Sequence, residues 1–351
     1  MVTTSQTMLA VRLVEWGKPP ELCQVPIPEP RGTEVLIRVE AAGLCQSDLH
    51  LLDAADGVPR LEPPFTLGHE VVGAVVSTGK ESESRVEIGA RVVVHGPCGC
   101  SQCERCTSGE DNYCDRRHEL DWTGIGIGLD GGMAEYMLVP DARHLVEIGA
   151  LDPAAAAPLA DAGLTAYHAV ELARQRISAD GVVVVIGAGG LGHLAVQVLR
   201  ATTSARVIAV DVRPQARELA LACGATAAVD SSQLTSELDK LSNHKADAVL
   251  DFVGSDLTLQ AAAGALRSRG ELVVVGSAGG SITVTKGGSL PQGTRLSIPF
   301  WGSHTELRKV IELASTGNLA AEVDVRPLGD ALSALGDLRS GQVNGRLVLV
   351  P

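Results

Sequence analysis

The run Val182-Val183-Val184-Val185-Ile186-Gly187-Ala188-Gly189-Gly190-Leu191-Gly192 decides how the second half of this chain folds. Five apolar, mostly β-branched residues read as a strand buried on both faces, and glycines follow it without a spacer. A helical pattern begins at once, from about Leu191 to Ala201, and the next strand, Arg206 to Val210, ends in Asp211, 24 residues beyond Gly187. Strand, glycine turn, helix and terminal acid together form a dinucleotide fingerprint. Gly187 permits the tight turn, Gly189 lets the backbone approach a pyrophosphate, and Gly192 allows the helix to pack closely on the strand. Gly190 and Leu191 complete the turn, which directs free N–H groups at the anion. Asp211 can accept hydrogen bonds from both adenosine ribose hydroxyls and would repel a 2'-phosphate, so NAD is favoured over NADP. Arg213, two residues on, softens that preference.

The same alternation extends outward. A helix from Pro214 to Cys223 has proline in its first turn and Gly224 at its end. Val249 to Val253 and Leu272 to Val275 read as further strands, separated by an Ala-rich helix from Leu257 to Leu266. This predicts an α/β fold with a doubly wound parallel sheet. Before Thr165 the pattern is different: Glu34 to Glu40, Arg91 to Val94 and Glu135 to Val139 are short strand-like segments punctuated by Gly and Pro, which predicts an irregular, mostly antiparallel β-rich domain. Beyond Trp301 come helical stretches at Thr305 to Thr316 and Ala331 to Leu338, then a last strand, Arg346 to Val350. At 351 residues two cored domains are expected.

Charge narrows the partners. With 29 Lys plus Arg against 42 Asp plus Glu, a net charge of -13 and no basic block, nucleic acid is not expected to bind. No apolar run approaches the roughly 20 residues of a membrane helix. The polar stretch Met1 to Met8 lacks a secretory pattern, so a cytoplasmic protein is expected, with disorder confined to the first few residues.

Cys100, Cys103, Cys106 and Cys114 form a C-x2-C-x2-C-x7-C run within a lobe spanning 98–115. That spacing lets one short segment wrap a tetrahedral zinc, and a site closed by four thiolates organises backbone without doing chemistry. Cys98 is not needed as a fifth ligand. Among the remaining cysteines, Cys45 sits in Gly43-Leu44-Cys45-Gln46-Ser47-Asp48-Leu49-His50, and His69 follows in Gly68-His69-Glu70. Taken alone, these two read sooner as a buried thiol and a satisfied histidine than as metal ligands.

The order of motifs, with Cys45, then His69 and Glu70, then the four-cysteine lobe, then the dinucleotide turn, resembles the zinc-dependent medium-chain alcohol dehydrogenase family over nearly the whole chain, most of all its bacterial secondary-alcohol members. The resemblance implies a GroES-like catalytic domain, residues 1–163 and 301–351, and an NAD-binding Rossmann domain, residues 164–300. It implies NAD as cofactor and two zinc ions per chain. Cys45 and His69 match two ligands of a catalytic zinc. The third falls at Asp161, where the family often has cysteine, a departure that implies a harder, more electrophilic ion; Asp161 can also be read as the N-cap of the helix that follows.

Further roles follow from the same resemblance. Ser47 matches the hydroxyl that receives the substrate proton and His50 the surface end of that relay. Asp48 matches the acid that orients the histidine ligand. Glu70 matches the acid behind the zinc, which either binds it transiently or never does. Gln46 replaces a basic residue that pairs with pyrophosphate in some relatives, which implies faster cofactor release; Arg346 supplies part of that charge or is a plain surface arginine. Val253 and Val275, at strand ends, are candidate supports for the nicotinamide. The implied activity is reversible oxidation of medium-sized alcohols, secondary ones foremost, to ketones or aldehydes. A polyol, threonine or formaldehyde dehydrogenase, or a silent zinc and nucleotide sensor, are the alternatives. A homotetramer is expected, with a homodimer as the alternative. Trp301 is either a wall of the substrate cleft or core, Trp122 is expected in the core, and the histidines at 95, 118, 144, 168, 193, 244 and 304 are expected to be core or surface residues.

Overall fold

The computed structural model describes residues 6–242 and 245–351; the expected N-terminal disorder and His244 lie outside them. The chain divides into two compact units. The first takes the chain up to Asp161 together with Ser303–Ser315 and Ala321–Pro351, and the second takes Ala162–Gly302 and Thr316–Ala320.

In the first unit a seven-stranded sheet is built around the strand Val35–Leu44, which pairs antiparallel with Glu70–Thr78 on one side and with Arg346–Val350 on the other. Beyond these lie Arg91–Val94 and Leu145–Glu147 at one end and Val323–Pro327 at the other, while Tyr136–Val139 pairs with the start of Val35–Leu44. The pair Val323–Pro327 with Arg346–Val350 is parallel, an exception to the otherwise antiparallel pattern. A second, three-stranded sheet runs Glu21–Pro26, Thr7–Leu13, Phe65–Thr66. Val35, Ile37, Val39, Val71, Val75 and Leu347 are buried in one core, sealed by Ala331, Ala334 and Leu335 of the helix Ala331–Arg339.

The second unit carries a six-stranded, all-parallel sheet in the order Ala227–Val229, Arg206–Val210, Val182–Ile186, Ala246–Asp251, Leu266–Val274, Arg295–Ser297. The strand order reverses beside Val182–Ile186, which places the glycine turn at the switch point where such sheets bind ligands. All five residues of that strand are buried, as a strand covered on both faces requires. Reciprocal amide hydrogen bonds between Gln197 and Ala320, both 2.9 Å, tie the segment Thr316–Ala320 to this unit.

One strand is longer than its sequence suggests. Ser255 caps a helix at Asp256–Ala265, and the chain then enters a strand at Leu266, six residues before the expected start. Arg267-Ser268-Arg269-Gly270 is an irregular entry into the sheet, with a register shift opposite Ala246 and Ala248 and Arg269 at φ +63°.

Candidate active site

Three neighbouring strands bring the chemistry of the first unit to one place. Val35–Leu44 ends at Cys45, Glu70–Thr78 begins immediately after His69, and Arg346 opens the last strand; the register sets Gly43 opposite Glu70 and Leu44 opposite Leu347. Asp161 arrives from elsewhere in the chain, at the end of the 3-10 turn Ala157–Ala160. Its carboxylate oxygen lies 3.4 Å from Cys45 Sγ and 3.5 Å from His69 Nε2. Ligands on a tetrahedral zinc, with bonds of about 2.0–2.3 Å, stand roughly 3.3–3.8 Å apart, so the soft sulfur, the imidazole and the carboxylate have the spacing of a shared metal centre. Cys45 and His69 are buried and Asp161 is 13% exposed. Asp161 therefore faces Cys45 and His69 as well as preceding the helix Ala162–Arg174.

Asp48 stands behind His69. One of its oxygens is 3.6 Å from His69 Nδ1 and the other accepts the Cys45 N–H at 2.9 Å, so a single buried carboxylate addresses both residues. Burial alone would lower the His69 pKa, but Asp48 and Asp161 outweigh it and hold it well above the usual imidazole range. Ser47, half-buried, has its hydroxyl 3.8 Å from Cys45 Sγ. His50 is exposed, one turn further along the helix Gln46–Asp53 that Cys45 caps, and three residues on places it on the same side as Ser47. Gln46 is exposed.

Glu70 and Arg346 form an ion pair of 2.6 Å, both essentially inaccessible to water. Arg346 is thus no surface residue: its charge is committed to Glu70, the residue after His69. Burial raises the Glu70 carboxyl to about 7 against the opposing pull of Arg346, and burial lowers Arg346 less than Glu70 and Cys45 raise it. Gly43 makes the arrangement possible, since a Cβ there would fall 2.0 Å from Glu70 Oε2. Neither this glycine nor the Glu70 partnership is visible in the sequence, because both depend on which strands are neighbours.

The four cysteines of the lobe also converge. Cys103 Sγ lies 3.5 Å from that of Cys106 and 3.9 Å from that of Cys114, close to the ~3.8 Å expected around tetrathiolate zinc. Backbone N–H groups point at the sulfurs, from Cys100 to Cys114 and from Cys103 to Cys100, each at 3.3 Å. The Cys106 N–H helps bring the Cys103 thiol down to about 6, whereas burial raises Cys106 and Cys114. Among the described residues, these two groups are the ones in which three or more His, Cys, Asp or Glu ligand atoms converge for a metal. Cys98 stays apart, pushed up to about 12 by burial, with its carbonyl accepting from Trp122 Nε1 at 3.1 Å. Trp122 packs against the main core. His95 and His144 are buried and stacked, His168 and His193 are buried, and His118 is exposed.

In the second unit Gly187 adopts φ +84°, and a Cβ at Gly192 would lie 1.9 Å from the Gly187 carbonyl, so the helix start rests directly on the turn. Asp211 accepts the Ala188 N–H at 3.0 Å and the Arg213 N–H at 2.9 Å; the Arg213 guanidinium folds back on the same carboxylate, and a Cβ at Gly189 would meet it at 2.7 Å. Gly190 and Leu191 are half-buried in the same turn. Val253 covers Gly187, and Val275 follows the next strand with its N–H on Asp251 O. Asp251, buried and not anticipated, shapes this rim by accepting the N–H groups of Val253 and Gly254. Trp301 is buried, at φ +51°.

Comparison with known proteins agrees with this geometry. Residues 31–150 match the family model of the alcohol dehydrogenase GroES-like domain, and residues 190–316 match that of the zinc-binding dehydrogenases. The chain is 36% identical to an NAD-dependent alcohol dehydrogenase of Sulfurisphaera tokodaii, over 98% of this chain and 100% of that one. It is 32% identical to D-arabinose 1-dehydrogenase (NADP(+)) of Saccharolobus solfataricus, over 97% of each. The solved acetophenone reductase of Geotrichum candidum, in complex with NAD, superposes with a TM-score of 0.86 at 32% identity, covering 98% of this chain and 97% of that one. Full-length similarity at this level, on a fold that sets thiolate, imidazole and carboxylate around one point, places the chain in the zinc-dependent medium-chain alcohol dehydrogenase family.

Proposed function

We propose that this protein catalyses the reversible, NAD-linked oxidation of medium-sized alcohols, secondary ones foremost, to ketones or aldehydes. The convergence of Cys45, His69 and Asp161 carries this reading. These three would hold a catalytic zinc, and Cys100, Cys103, Cys106 and Cys114 a structural one, two ions per chain. When bound, zinc supplies Lewis acidity toward the substrate oxygen and NAD supplies the hydride acceptor. The chain supplies the rest. Ser47 takes the hydroxyl proton of the substrate, and His50, exposed one turn on, delivers it to water. Asp48 fixes the orientation of His69, and the Glu70–Arg346 pair limits the negative charge gathered behind the ligands. Residues 1–163 and 301–351 form the catalytic domain in this reading, and residues 164–300 the NAD-binding domain.

On the cofactor side, the turn Gly187 to Gly192 receives the pyrophosphate, Asp211 the adenosine ribose, and Val253 and Val275 the nicotinamide. Arg213 lies against Asp211 and moderates the choice between NAD and NADP. The chain works as a homotetramer. Its substrate is a small molecule, in line with the acetophenone reductase likeness. A sugar or polyol dehydrogenase is the second reading, supported by the likeness to D-arabinose 1-dehydrogenase.

NADH formation across secondary alcohols, primary alcohols, polyols and aldoses separates the two, and activity confined to aldoses would remove the first. Metal analysis is expected to give about two zinc ions per chain, and His69→Ala about one. Multi-angle light scattering is expected to report four copies.

A further inference from the structure

One guanidinium fastens most of the four-cysteine lobe. Arg143, in the 3-10 turn Ala142–His144, donates from Nη1 to Asp111 Oδ2 at 2.8 Å and from Nη2 to Asp111 Oδ1 at 2.6 Å. Its Nη2 also reaches Ser101 Oγ at 2.9 Å, and its Nη1 the carbonyl of Cys106 at 3.4 Å. Asp111 in turn accepts the Gly99 N–H at 3.1 Å, and its own carbonyl accepts from Arg117 at 2.6 Å. A Cβ at Gly99 would lie 2.3 Å from Cys106 Sγ and 3.1 Å from Asp111 Oδ1, so this backbone is drawn tightly onto the sulfurs. The contacted residues flank Cys100, include Cys106, and stand three positions before Cys114. The ion pair is buried at its acidic end, where Asp111 is 1% exposed.

We infer that the Asp111–Arg143 pair is a clamp that holds the thiolate lobe in its metal-binding conformation, making Arg143 and Asp111 positioning residues that set how long the structural zinc is retained. This rests on the reading of the four cysteines as zinc ligands. Partners that orient metal ligands govern affinity by about 10–100-fold. A bidentate guanidinium–carboxylate pair is well suited to the task, because its two parallel bonds fix orientation as well as distance. Removing Arg143 leaves the Asp111 carboxylate unpaired near four sulfurs, whereas Asp111→Asn keeps the cation there. Arg143→Met should therefore be the more harmful change.

The test follows zinc release from the purified holoenzyme into a chromogenic chelator, with the catalytic-site phase identified by its absence in His69→Ala. In Arg143→Met the lobe phase should quicken by about 10–100-fold, in Asp111→Asn by less, and the catalytic-site phase should not change. Arg143→Lys, which keeps the charge without the fork, should fall between wild type and Arg143→Met and covers the case in which the methionine variant does not fold. Cobalt placed in the lobe reports the same effect without turnover, through weakened visible bands of tetrahedral tetrathiolate cobalt in the variants. A role in packing alone would lower the melting temperature while leaving lobe release and the cobalt spectrum as in wild type, and that result would overturn the clamp. Wild-type protein that carries no slowly released zinc would overturn the metal reading of the four cysteines, and the clamp with it.

Discussion

At the residue scale, the site depends on a few buried charges that make sense only together. On the proposed assignment, replacing His69 or Asp161 by alanine removes a metal ligand, and loss of several kcal/mol of transition-state stabilisation predicts a fall in kcat/KM of at least ~10^3-fold with the circular dichroism spectrum retained. Asp161→Cys restores a second thiolate, so zinc content should stay near wild type while the rate changes. Arg346→Met strands the Glu70 carboxylate in a dry site and should cost about 3–5 kcal/mol in denaturant unfolding, most of it recovered in the double variant with Glu70→Gln. Equal losses in the single and double variants would show that Arg346 is held by something other than Glu70.

At the element scale, the relevant unit is a strand end and the turn that leaves it. Cys45 caps the helix Gln46–Asp53 through a capping box with Asp48, so the turn that presents the Cys45 sulfur also presents Ser47, the residue proposed to take the substrate proton. The glycine turn is equally constrained. Gly192→Ala would drive a methyl group into the Gly187 carbonyl, so it should destabilise by about 1–3 kcal/mol and weaken NADH binding, read by fluorescence titration. Much of this was legible beforehand: Val182–Ile186 and Arg346–Val350 occupy the expected residues, because β-branched runs bounded by glycine carry their own period and limits. The strand entry at Leu266 was not legible. Its charged residues are tolerated there by tertiary partners, with Arg267 pairing with Asp247.

At the scale of the whole molecule, buried titratable groups link stability to pH. Burial, then Arg143 and His95, hold the His144 pKa well below its usual value, and burial with Arg308 lowers His304. In the unfolded chain both imidazoles titrate near ~6.5. Below that pH the unfolded state takes up protons that the native state refuses, so stability should be level above pH ~6.5 and fall as the pH drops beneath it. The slope is at most about 1.4 kcal/mol per pH unit for His144. His144→Gln should flatten this limb in urea titrations between pH 7 and 5, and an unchanged slope would assign the acid sensitivity to other groups.

The alternating apolar strands and helices, the glycine turn ending in Asp211 and the four-cysteine run are written in the order of residues alone, since each is a local pattern whose period or spacing carries its meaning. Tertiary structure decided which distant residues meet. Cys45 meets His69, and Glu70 finds Arg346, because three strands far apart in the chain lie side by side in one sheet, in a register that also requires Gly43 to be bare, and the turn Ala157–Ala160 brings Asp161 to the same point. No local signal encodes that adjacency, which arises from burying the apolar faces of all these strands in a single core.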